Sequence, residues 1–573
     1  MAKKNGAFDG SKVRSVETLI IQNKIFSICD YNRVLTCLVL VRILIHLGAS
    51  VGFVAYNFKK IRVLRAWHAY CYFALLKFKF TEYAILSTSN MRANFLSFTG
   101  RSKILHTTWF AFFVTFLVWF NHAPLLVAIQ ASMGLSDQQI KTLLILNVAL
   151  TIPARIVMGM LVDAYGPRKI YAITLVITAG LCFFCATATN FEILALARFL
   201  MGFVGAGFVI GIRMISEWYP AKQLGLAEGI YKGMGNAGSA AAAITLPTLA
   251  LMFGGDDGWR YAMGVTGIIA LLYAVVYYFS VTDTPVGSTY FKPNKSGGLE
   301  VTSKRDFFFC LALNIPMVGA LAVLTWQVTL LGLLSSMVAN VVYAVLVGLY
   351  LFQASQIYKV NKGIFEKPVD PILQYNFKQV AILSIAYAVT FGSELAVISM
   401  LPLFFKDTFL ITAALAGVLG SCFAITDTVS CPSGGWISDK FGRKTSLVVL
   451  LSGAALGFFA VSQINADWPI VLAVIVIMTC SFFLGSAAGC VFALVPLIKR
   501  RLTGQIAGLV GAYGNIGAVV FLTVFSFSSS TVFFITIACG IGLAAMAALF
   551  LDEPKDAMAE VMPDGTVQLI DVH

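Results

Sequence analysis

Apolar segments of about twenty residues follow one another along most of this 573-residue chain, separated by short polar loops. Hydrophobic residues make up 59% of the sequence and charged residues only 12%. A helix of roughly twenty apolar residues can cross the hydrocarbon core of a bilayer, which is about 30 Å thick. Such a composition excludes a soluble globular protein of this length. Because the two-residue alternation of barrel strands is missing, the pattern predicts an all-α polytopic membrane protein.

Twelve of these segments are predicted as core spans, in two sets of six. They cover residues 107–130, 139–161, 170–188, 191–215, 225–252 and 260–281, then 379–405, 412–437, 446–463, 468–496, 503–527 and 531–551. The sets define an N-terminal half, 101–281, and a C-terminal half, 379–551. The linker 282–378 contains two further apolar runs, 307–332 and 334–353, predicted as a helical hairpin that crosses the membrane and returns. The alternative is that one or both runs lie at the membrane interface.

Lysine and arginine concentrate in alternate loops, which is the pattern of cytoplasmic loops in membrane proteins. The residues that carry it are Arg168, Lys169, Lys222, Lys440, Arg443, Lys444, Lys499, Arg500 and Arg501. This asymmetry predicts that the tail, 552–573, is cytoplasmic. Basic residues in such loops have a role in topology, so the formal net charge of +14 does not require a nucleic-acid partner.

The first ninety residues do not fit this pattern. They contain 13 lysines and arginines against 4 acidic residues, so +9 of the net charge lies there. The apolar run 34–58 is long enough to cross once but contains Arg42 and His46, and no small-residue cleavage site follows it. We interpret residues 1–100 as an atypical basic extension, with Met91 as a plausible true start.

Two pairs of motifs repeat between the halves. Gly159, Asp163 and Gly166 match Gly435, Asp439 and Gly442 at an offset of 276 residues. A second signature, rich in glycine, matches at an offset of 279 residues. Its members are Gly225, Gly229, Gly235, Asn236 and Gly238, matched by Gly504, Gly508, Gly514, Asn515 and Gly517. The chain therefore contains two homologous six-helix halves, an architecture known from secondary transporters.

An arginine lies within one of the repeated helices. Arg155 precedes Asp163 by eight residues, inside the apolar run 143–162, whereas Cys431 precedes Asp439 by eight. An arginine at the centre of a membrane helix costs roughly 2.5–3.5 kcal/mol on insertion scales, so it indicates a functional role. At 1.5 Å per residue, Arg155 lies about 12 Å inside the bundle, near the midplane where transporter sites form. The alternative is a structural partner for a buried carboxylate.

The combined motifs resemble the nitrate/nitrite porters of the major facilitator superfamily, most closely the cyanobacterial-type permeases. Besides the two signatures, the resemblance rests on residues 109–113, 147–155, 391–396 and 432–435, and it covers about 101–552. It implies a substrate site made of Arg155, Asn236, Asn515, Gly235, Gly514 and Cys431. A planar guanidinium suits a planar anion, and asparagine amides can donate hydrogen bonds. The alternatives are helix packing for the glycines and interhelical hydrogen bonding for the asparagines.

One position departs from the family pattern. The family carries an arginine at the position of Cys431, so one of two expected cations is missing here, and Asp427 lies one turn away. Lys232, one turn before Asn236, either restores part of that charge or is a solvated, snorkelling lysine.

Further residues are expected to open and close the transporter. Asp163, Arg168, Asp439 and Arg443 are predicted as gates that lock the cytoplasmic ends in the outward-facing state. Glu394 is an intramembrane acid that could couple transport to protons, with a structural hydrogen bond as the alternative.

The sequence thus predicts a secondary transporter of nitrate and nitrite in the plasma membrane, working by rocking of its two halves. The alternatives are a transporter of another small anion and a non-transporting nitrate sensor on the same fold. No nucleophile–base pair or metal-ligand spacing is present, so we expect no enzymatic activity, cofactor or metal. We expect a monomer with no partner besides its substrates and the bilayer.

Overall fold

The computed structural model describes residues 97–553 except 294, 296, 331, 333 and 370–373, together with residues 95, 557–561 and 567–571. Nearly all of them belong to one compact unit, Leu96–His573. The predicted extension, residues 1–100, lies almost entirely outside the described residues, as does the plausible start at Met91.

Fourteen helices of the described part are long and apolar enough to cross a membrane. We number them α1 to α14 and give one label to each span, including spans that a short break interrupts. They are α1 (Gly100–Trp119 and Leu126–Met133), α2 (Asp137–Ala149 and Thr151–Tyr165), α3 (Pro167–Ala186), α4 (Phe191–Met201 and Gly207–Trp218), α5 (Ala221–Phe253), α6 (Gly258–Ser280), α7 (Lys304–Leu330), α8 (Ser336–Asn361), α9 (Phe377–Phe409), α10 (Ala413–Phe441), α11 (Arg443–Val461), α12 (Ile470–Leu494), α13 (Thr503–Phe527) and α14 (Ser530–Ala548).

These helices confirm the predicted fold class. Helices α1–α6 and α9–α14 correspond to the twelve predicted core spans, and α7 and α8 are the two additional helices. Five helices that begin at the predicted external side start behind a polar residue, whose side chain accepts a hydrogen bond from the first turn. These N-cap residues are Ser136, Asn190, Ser335, Thr412 and Ser529. Polar loop residues therefore set where these spans begin.

The two halves meet along two helix pairs, α2 with α13 and α5 with α10. Both contacts are close because glycines face each other. A Cβ added at Gly159 of α2 would overlap the carbonyl oxygen of Gly504, and one at Gly435 of α10 would overlap that of Gly225. Any side chain there would force the helices apart. The repeated glycines thus hold the two halves together, as small residues do at membrane helix interfaces.

The additional helices form the predicted hairpin in the linker. Helix α7 packs on the C-terminal half, where the Tyr513 hydroxyl donates to the carbonyl of Leu313 at 2.7 Å and Gln327 donates to Thr523 at 2.8 Å. Much of α8 is exposed on the outside of the bundle. The tail contains a short antiparallel hairpin, β1 (Ala557–Val561) and β2 (Val567–Asp571), which the sequence analysis did not predict.

Candidate functional site

Arg155 lies in the interior of α2, and its side chain crosses to the other half of the molecule. Only 1% of the residue is exposed. Its Nε donates to the Gly205 carbonyl at 3.3 Å, and its Nη1 donates to the carbonyl of Gly511 in α13. Among the described residues it forms no ion pair. No carboxylate of the described residues therefore forms an ion pair with Arg155.

Aromatic rings surround the Arg155 guanidinium. Its Cζ lies 5.1 Å from the ring centre of Phe391 and 5.6 Å from that of Phe208. Phe391 in turn stacks on Tyr387 at 5.2 Å. Ring faces attract a cation but do not neutralise its charge. The site thus holds a desolvated positive charge close to both halves, with an environment suited to a weakly hydrated anion.

Two asparagines supply unused hydrogen-bonding groups near this charge. Asn515 is fully buried, and neither its amide nitrogen nor its amide oxygen has a partner among the described residues. It lies one helical turn beyond Gly511, whose carbonyl accepts from Arg155. Asn236, its counterpart, donates to Asp427 at 3.0 Å, but its buried oxygen also lacks a partner. Leaving a buried polar group unpaired costs about 1–3 kcal/mol, so these groups favour a ligand.

The neighbouring polar group, which we call the α5–α10 cluster, consists of Lys232, Asn236, Glu394, Asp427 and Cys431. The Lys232 ammonium lies 3.3 Å from Glu394 Oε2, 3.9 Å from Asp427 Oδ2 and 3.2 Å from Cys431 Sγ. Asn236 also donates to Glu394 at 3.4 Å, and the Cys431 thiol donates to Asp427 at 3.4 Å. One cation is therefore set between two carboxylates inside the bundle.

This cluster decides two questions that the sequence left open. Lys232 is only 1% exposed, so the interpretation of a solvated or snorkelling lysine is wrong. Cys431 is fully buried and faces Lys232 across the boundary between the halves, at the level of Arg155 in the repeat. The carboxylate of Glu394 is hydrogen-bonded to Lys232 and Asn236, so it belongs to the same polar group.

The two candidate glycines, Gly235 and Gly514, face aromatic rings. A Cβ at Gly235 would lie 1.7 Å from the ring of Phe112, and one at Gly514 would lie 2.7 Å from Tyr387. Close packing accounts for both glycines. Their participation in substrate binding stays a prediction.

Two aspartates join the halves at the end that carries the basic loops. Asp163 accepts hydrogen bonds from the backbone of Gly504 at 2.9 Å and Gln505 at 2.8 Å, at the start of α13. Asp439 accepts from Gly225 at 3.1 Å and Leu226 at 2.9 Å, at the start of α5. Asp163 thus caps the first turn of α13, where its charge is stabilised by the helix dipole, whereas Asp439 accepts from backbone groups in the second turn of α5. We call these contacts the α2–α13 clasp and the α5–α10 clasp.

Three of the four predicted gate residues belong to the clasps. Arg443 pairs with Asp439 at 3.1 Å and donates to the Ala221 carbonyl at 2.7 Å. Arg168 does not join a clasp: its Nε donates to the Tyr278 carbonyl at 2.7 Å, and its backbone N–H donates to Asp283. It lies within the N-terminal half because the extra residue Pro167 shifts it by one position relative to Arg443.

The sequence analysis missed three residues of the α2–α13 clasp. Arg213 pairs with Asp163 at 3.2 Å and with Glu217 at 2.9 Å, and Arg500 reaches Glu217 from the C-terminal half at 3.3 Å. Arg213 ends a predicted span, where an arginine looks like an ordinary cytoplasmic flank. Its partner Tyr290 lies in the linker, where burial raises the pKa of its hydroxyl well above the usual range. The hydroxyl therefore stays neutral beside Arg213.

A second buried arginine was also missed, in the N-terminal half. Arg198 is 1% exposed and donates to Trp119 at 2.8 Å and to Asn147 at 2.6 Å, and its Nη2 lies 2.7 Å from His122 Nδ1. These neutral partners connect α1, α2 and α4. The hydrogen bonds indicate a structural role in the half that also carries Arg155.

Comparison with known proteins shows what this chain is similar to. The family model described as the Major Facilitator Superfamily matches residues 108–522, with a second match over 383–562. The nitrate/nitrite transporter NrtP of Picosynechococcus sp. is 46% identical over 508 residues, with 81% of this chain and 95% of the relative covered. NrtP of Nostoc punctiforme is 43% identical over 479 residues, with 82% of this chain and 96% of the relative covered.

Solved structures share the fold. The proton:xylose symporter XylE, bound to 6-bromo-6-deoxy-D-glucose, aligns with a TM-score of 0.53 at 15% identity, covering 79% of this chain and 97% of that chain. The human organic anion transporter MFSD10 also aligns with a TM-score of 0.53, at 11% identity, covering 78% of this chain and 100% of that chain. At such low identity the similarity concerns the fold alone.

Proposed function

This chain belongs to the major facilitator superfamily and, within it, to the nitrate/nitrite transporters, and from that membership we propose how it binds and moves its substrate. The resemblance inferred from the repeated signatures is thereby confirmed. The protein is a multi-pass membrane protein, a secondary transporter of nitrate and nitrite and not an enzyme. These relatives do not favour a carrier of another anion or a sensor.

We propose that the anion binds to Arg155, between the two halves. The observation that carries this assignment is a fully buried guanidinium without a carboxylate partner among the described residues. At 4 Å and an effective dielectric constant of about 20, an anion gains roughly 4 kcal/mol from one such charge. The guanidinium fork can donate two hydrogen bonds in the plane of nitrate. The unpaired amides of Asn515 and Asn236 supply further hydrogen bonds.

The α5–α10 cluster would supply a coupled proton. Lys232 contributes one positive charge there, and ionised Glu394 and Asp427 would contribute two negative ones. That excess would repel an incoming anion, and an unbalanced buried charge is unfavourable. Asp427 accepts from two donors, one of them at 3.0 Å, whereas the hydrogen bonds to Glu394 measure 3.3 and 3.4 Å. We therefore assign the mobile proton to Glu394.

The two clasps would act as the gate at the cytoplasmic ends. With both clasps formed, the halves are joined at that end, which corresponds to a state closed to the cytoplasm. Rocking of the halves would break the hydrogen bonds of Asp163 and Asp439 and expose the site to the cell interior. The positive-inside pattern of the loops supports the placement of this end and of the C-terminus in the cytoplasm. We also propose the plasma membrane as location and a monomer as the working unit.

Nitrate flux in proteoliposomes tests this function directly. Purified protein should carry nitrate into vesicles, nitrite should compete, and Arg155→Lys should abolish most of the flux. A folded protein that binds nitrate without moving it would be a sensor. A protein that moves another anion and ignores nitrate would contradict the substrate assignment.

A further inference from the structure

The two symmetry-related interfaces each hold one buried cation, but on opposite partners. In the first interface the cation is Arg155 of α2, and it contacts the carbonyl of Gly511 in α13. The counterpart of Arg155, at an offset of 276, is Cys431 of α10, and the counterpart of Gly511, at an offset of 279, is Lys232 of α5. In the second interface the ammonium of Lys232 lies 3.2 Å from Cys431 Sγ. The cation therefore comes from the other helix of the pair.

We propose that Lys232 is the second substrate-binding cation of this transporter, placed on α5 instead of α10. This inference rests on the proposed function and adds a residue to the site assigned there. Lys232 meets the physical requirements of such a role, since it is buried and its ammonium lies at the boundary between the halves.

Phe391 connects the two cations. Its ring centre lies 5.1 Å from Cζ of Arg155 and 5.8 Å from Nζ of Lys232. The charges are therefore at most about 11 Å apart, the sum of those distances. The N-terminal half supplies both cations, and Phe391, Glu394 and Asp427 come from the C-terminal half. A small anion held between the cations would thus be moved past the carboxylates as the halves rock.

The carboxylates would keep Lys232 neutralised until substrate arrives. Glu394 and Asp427 lie 3.3 and 3.9 Å from its ammonium, and Cys431 is a neutral neighbour. When Glu394 takes up a proton, the ammonium loses one counterion and an incoming anion can replace it. Counted with Arg155, the ionised site holds two positive and two negative charges. Protonation of Glu394 leaves one positive charge in excess and a bound anion balances it, so proton uptake and anion binding favour each other.

The same chemistry makes Cys431 informative. An arginine at Cys431 would project from α10 into the space that the Lys232 ammonium occupies. It should replace Lys232 as a cation, but the two should not coexist well, because like charges at such short distance repel each other. Positions 232 and 431 therefore allow an experiment in which the cation is removed from α5 and introduced on α10.

The test compares nitrate KM in proteoliposomes for wild-type protein and three variants. The variant Lys232→Met with Asp427→Asn removes one positive and one negative charge, so the net buried charge is unchanged and the chain can fold. We expect its KM for nitrate to rise at least tenfold. Adding Cys431→Arg to that variant should bring the KM back to within threefold of wild type. Lys222→Met, an exposed lysine at the start of the same helix, is the matched control and should leave the KM unchanged.

The outcomes are distinct. If the Lys232→Met, Asp427→Asn protein keeps a KM within twofold of wild type, Lys232 is a structural residue and the inference is overturned. Failure of Cys431→Arg to restore affinity in a protein with a normal melting curve would also overturn it. If either variant unfolds, the substitution Lys232→Arg, with Asp427 intact, is measured instead. A KM at or below that of wild type supports the inference. A loss of nitrate affinity in folded Lys232→Arg protein contradicts the inference. If wild-type protein itself moves no nitrate, the proposed function fails instead.

Discussion

The two interfaces between the halves share their packing and differ in their charges. In both, facing glycines bring the helices together and an aspartate accepts backbone hydrogen bonds from a helix of the opposite half. At the centre, however, the α2–α13 interface carries Arg155 without a counterion among the described residues, whereas the α5–α10 interface carries Lys232 with two carboxylates. The repeat has preserved the geometry that rocking requires. The charges have diverged: each interface holds one cation, but only the second adds carboxylates, to which we have assigned the coupled proton.

The two clasps also differ in their charges. Arg213, Glu217 and Arg500 extend the α2–α13 clasp into a chain of ion pairs, and Arg500 comes from the C-terminal half. The α5–α10 clasp has Arg443 beside Asp439 and no comparable extension among the described residues. The first clasp should therefore be the stronger one.

The largest effect is expected for Arg155→Lys, which tests the anion side of the comparison. Lysine keeps the charge but loses the planar fork and its contacts with Gly205 and Gly511. Loss of hydrogen bonds to a charged group costs about 3 kcal/mol, so nitrate uptake should fall roughly a hundredfold. The measurement is uptake per molecule at the membrane, with exposed Arg305→Lys as the matched control. Wild-type uptake by the Arg155 variant would disprove the site.

Next in size is the difference between the clasps. Asp163→Asn and Asp439→Asn each keep the shape of the side chain and remove its charge. Each should weaken closure by about 1–2 kcal/mol, roughly a five- to thirtyfold change in population, with the larger effect at Asp163 because Arg213 then loses its partner. Alkylation of a cysteine placed at buried Ala227 measures opening, with the parent protein lacking that cysteine as control. Equal labelling in both variants would show that the clasps are equivalent.

A severalfold effect that depends on pH is expected for Glu394→Gln. A glutamine resembles the protonated acid, so the site should still accept nitrate but can no longer release a proton. Wild-type uptake should rise as external pH falls, because protonation of Glu394 precedes anion binding. In the variant this dependence should disappear, while exchange of internal nitrite for external nitrate continues. An unchanged pH profile would place the coupling group elsewhere.

A smaller effect is expected for Cys431→Arg alone. The family pattern alone would predict tighter nitrate binding for this substitution, because it restores the arginine that the family carries at this position. The structure changes that expectation, because the new guanidinium would meet Lys232 at the thiol position. We now expect a few-fold weaker affinity while Lys232 is present. Tighter binding by the single variant would mean that both cations fit. The inference that Lys232 on α5 takes the place of a cation on α10 would then lose its basis.

The smallest effect is expected on removal of residues 2–90. Both repeats begin after Met91, and the four helices of the two interfaces all follow that segment in the sequence. Nitrate uptake per molecule and accessibility of a C-terminal tag should match those of the full chain. A truncated protein that reaches the membrane without carrying nitrate, or whose tag becomes external, would make the segment part of the transporter.

The fold could be predicted from sequence because spans, loops and repeats leave strong local signals. The apolar segments predicted twelve core spans and two additional helices, and the repeat identified Asp163 and Asp439 as equivalent positions. The site was only partly predictable. Arg155 was evident because an arginine inside an apolar run is costly, but its lack of a carboxylate partner depends on which side chains the other helices bring to it.

The remaining differences have local physical reasons. One inserted residue, Pro167, moved Arg168 away from the clasp that Arg443 joins. Arg213 looked like a cytoplasmic flank because it lies at the end of a span. The surroundings of Lys232 could be described only once the contacting helices were known. Its partners lie in α9 and α10 and are separated from it by more than 150 positions in the sequence.

The most direct test of the division between the two interfaces is simultaneous measurement of nitrate and proton entry in proteoliposomes. Nitrate added outside should draw protons in with it, so that an internal pH dye reports acidification in step with nitrate uptake. Arg155→Lys should abolish both signals, and Glu394→Gln should abolish acidification while nitrate exchange persists. Nitrate entry without acidification in the wild type, or coupled acidification that survives in Glu394→Gln, would contradict the account.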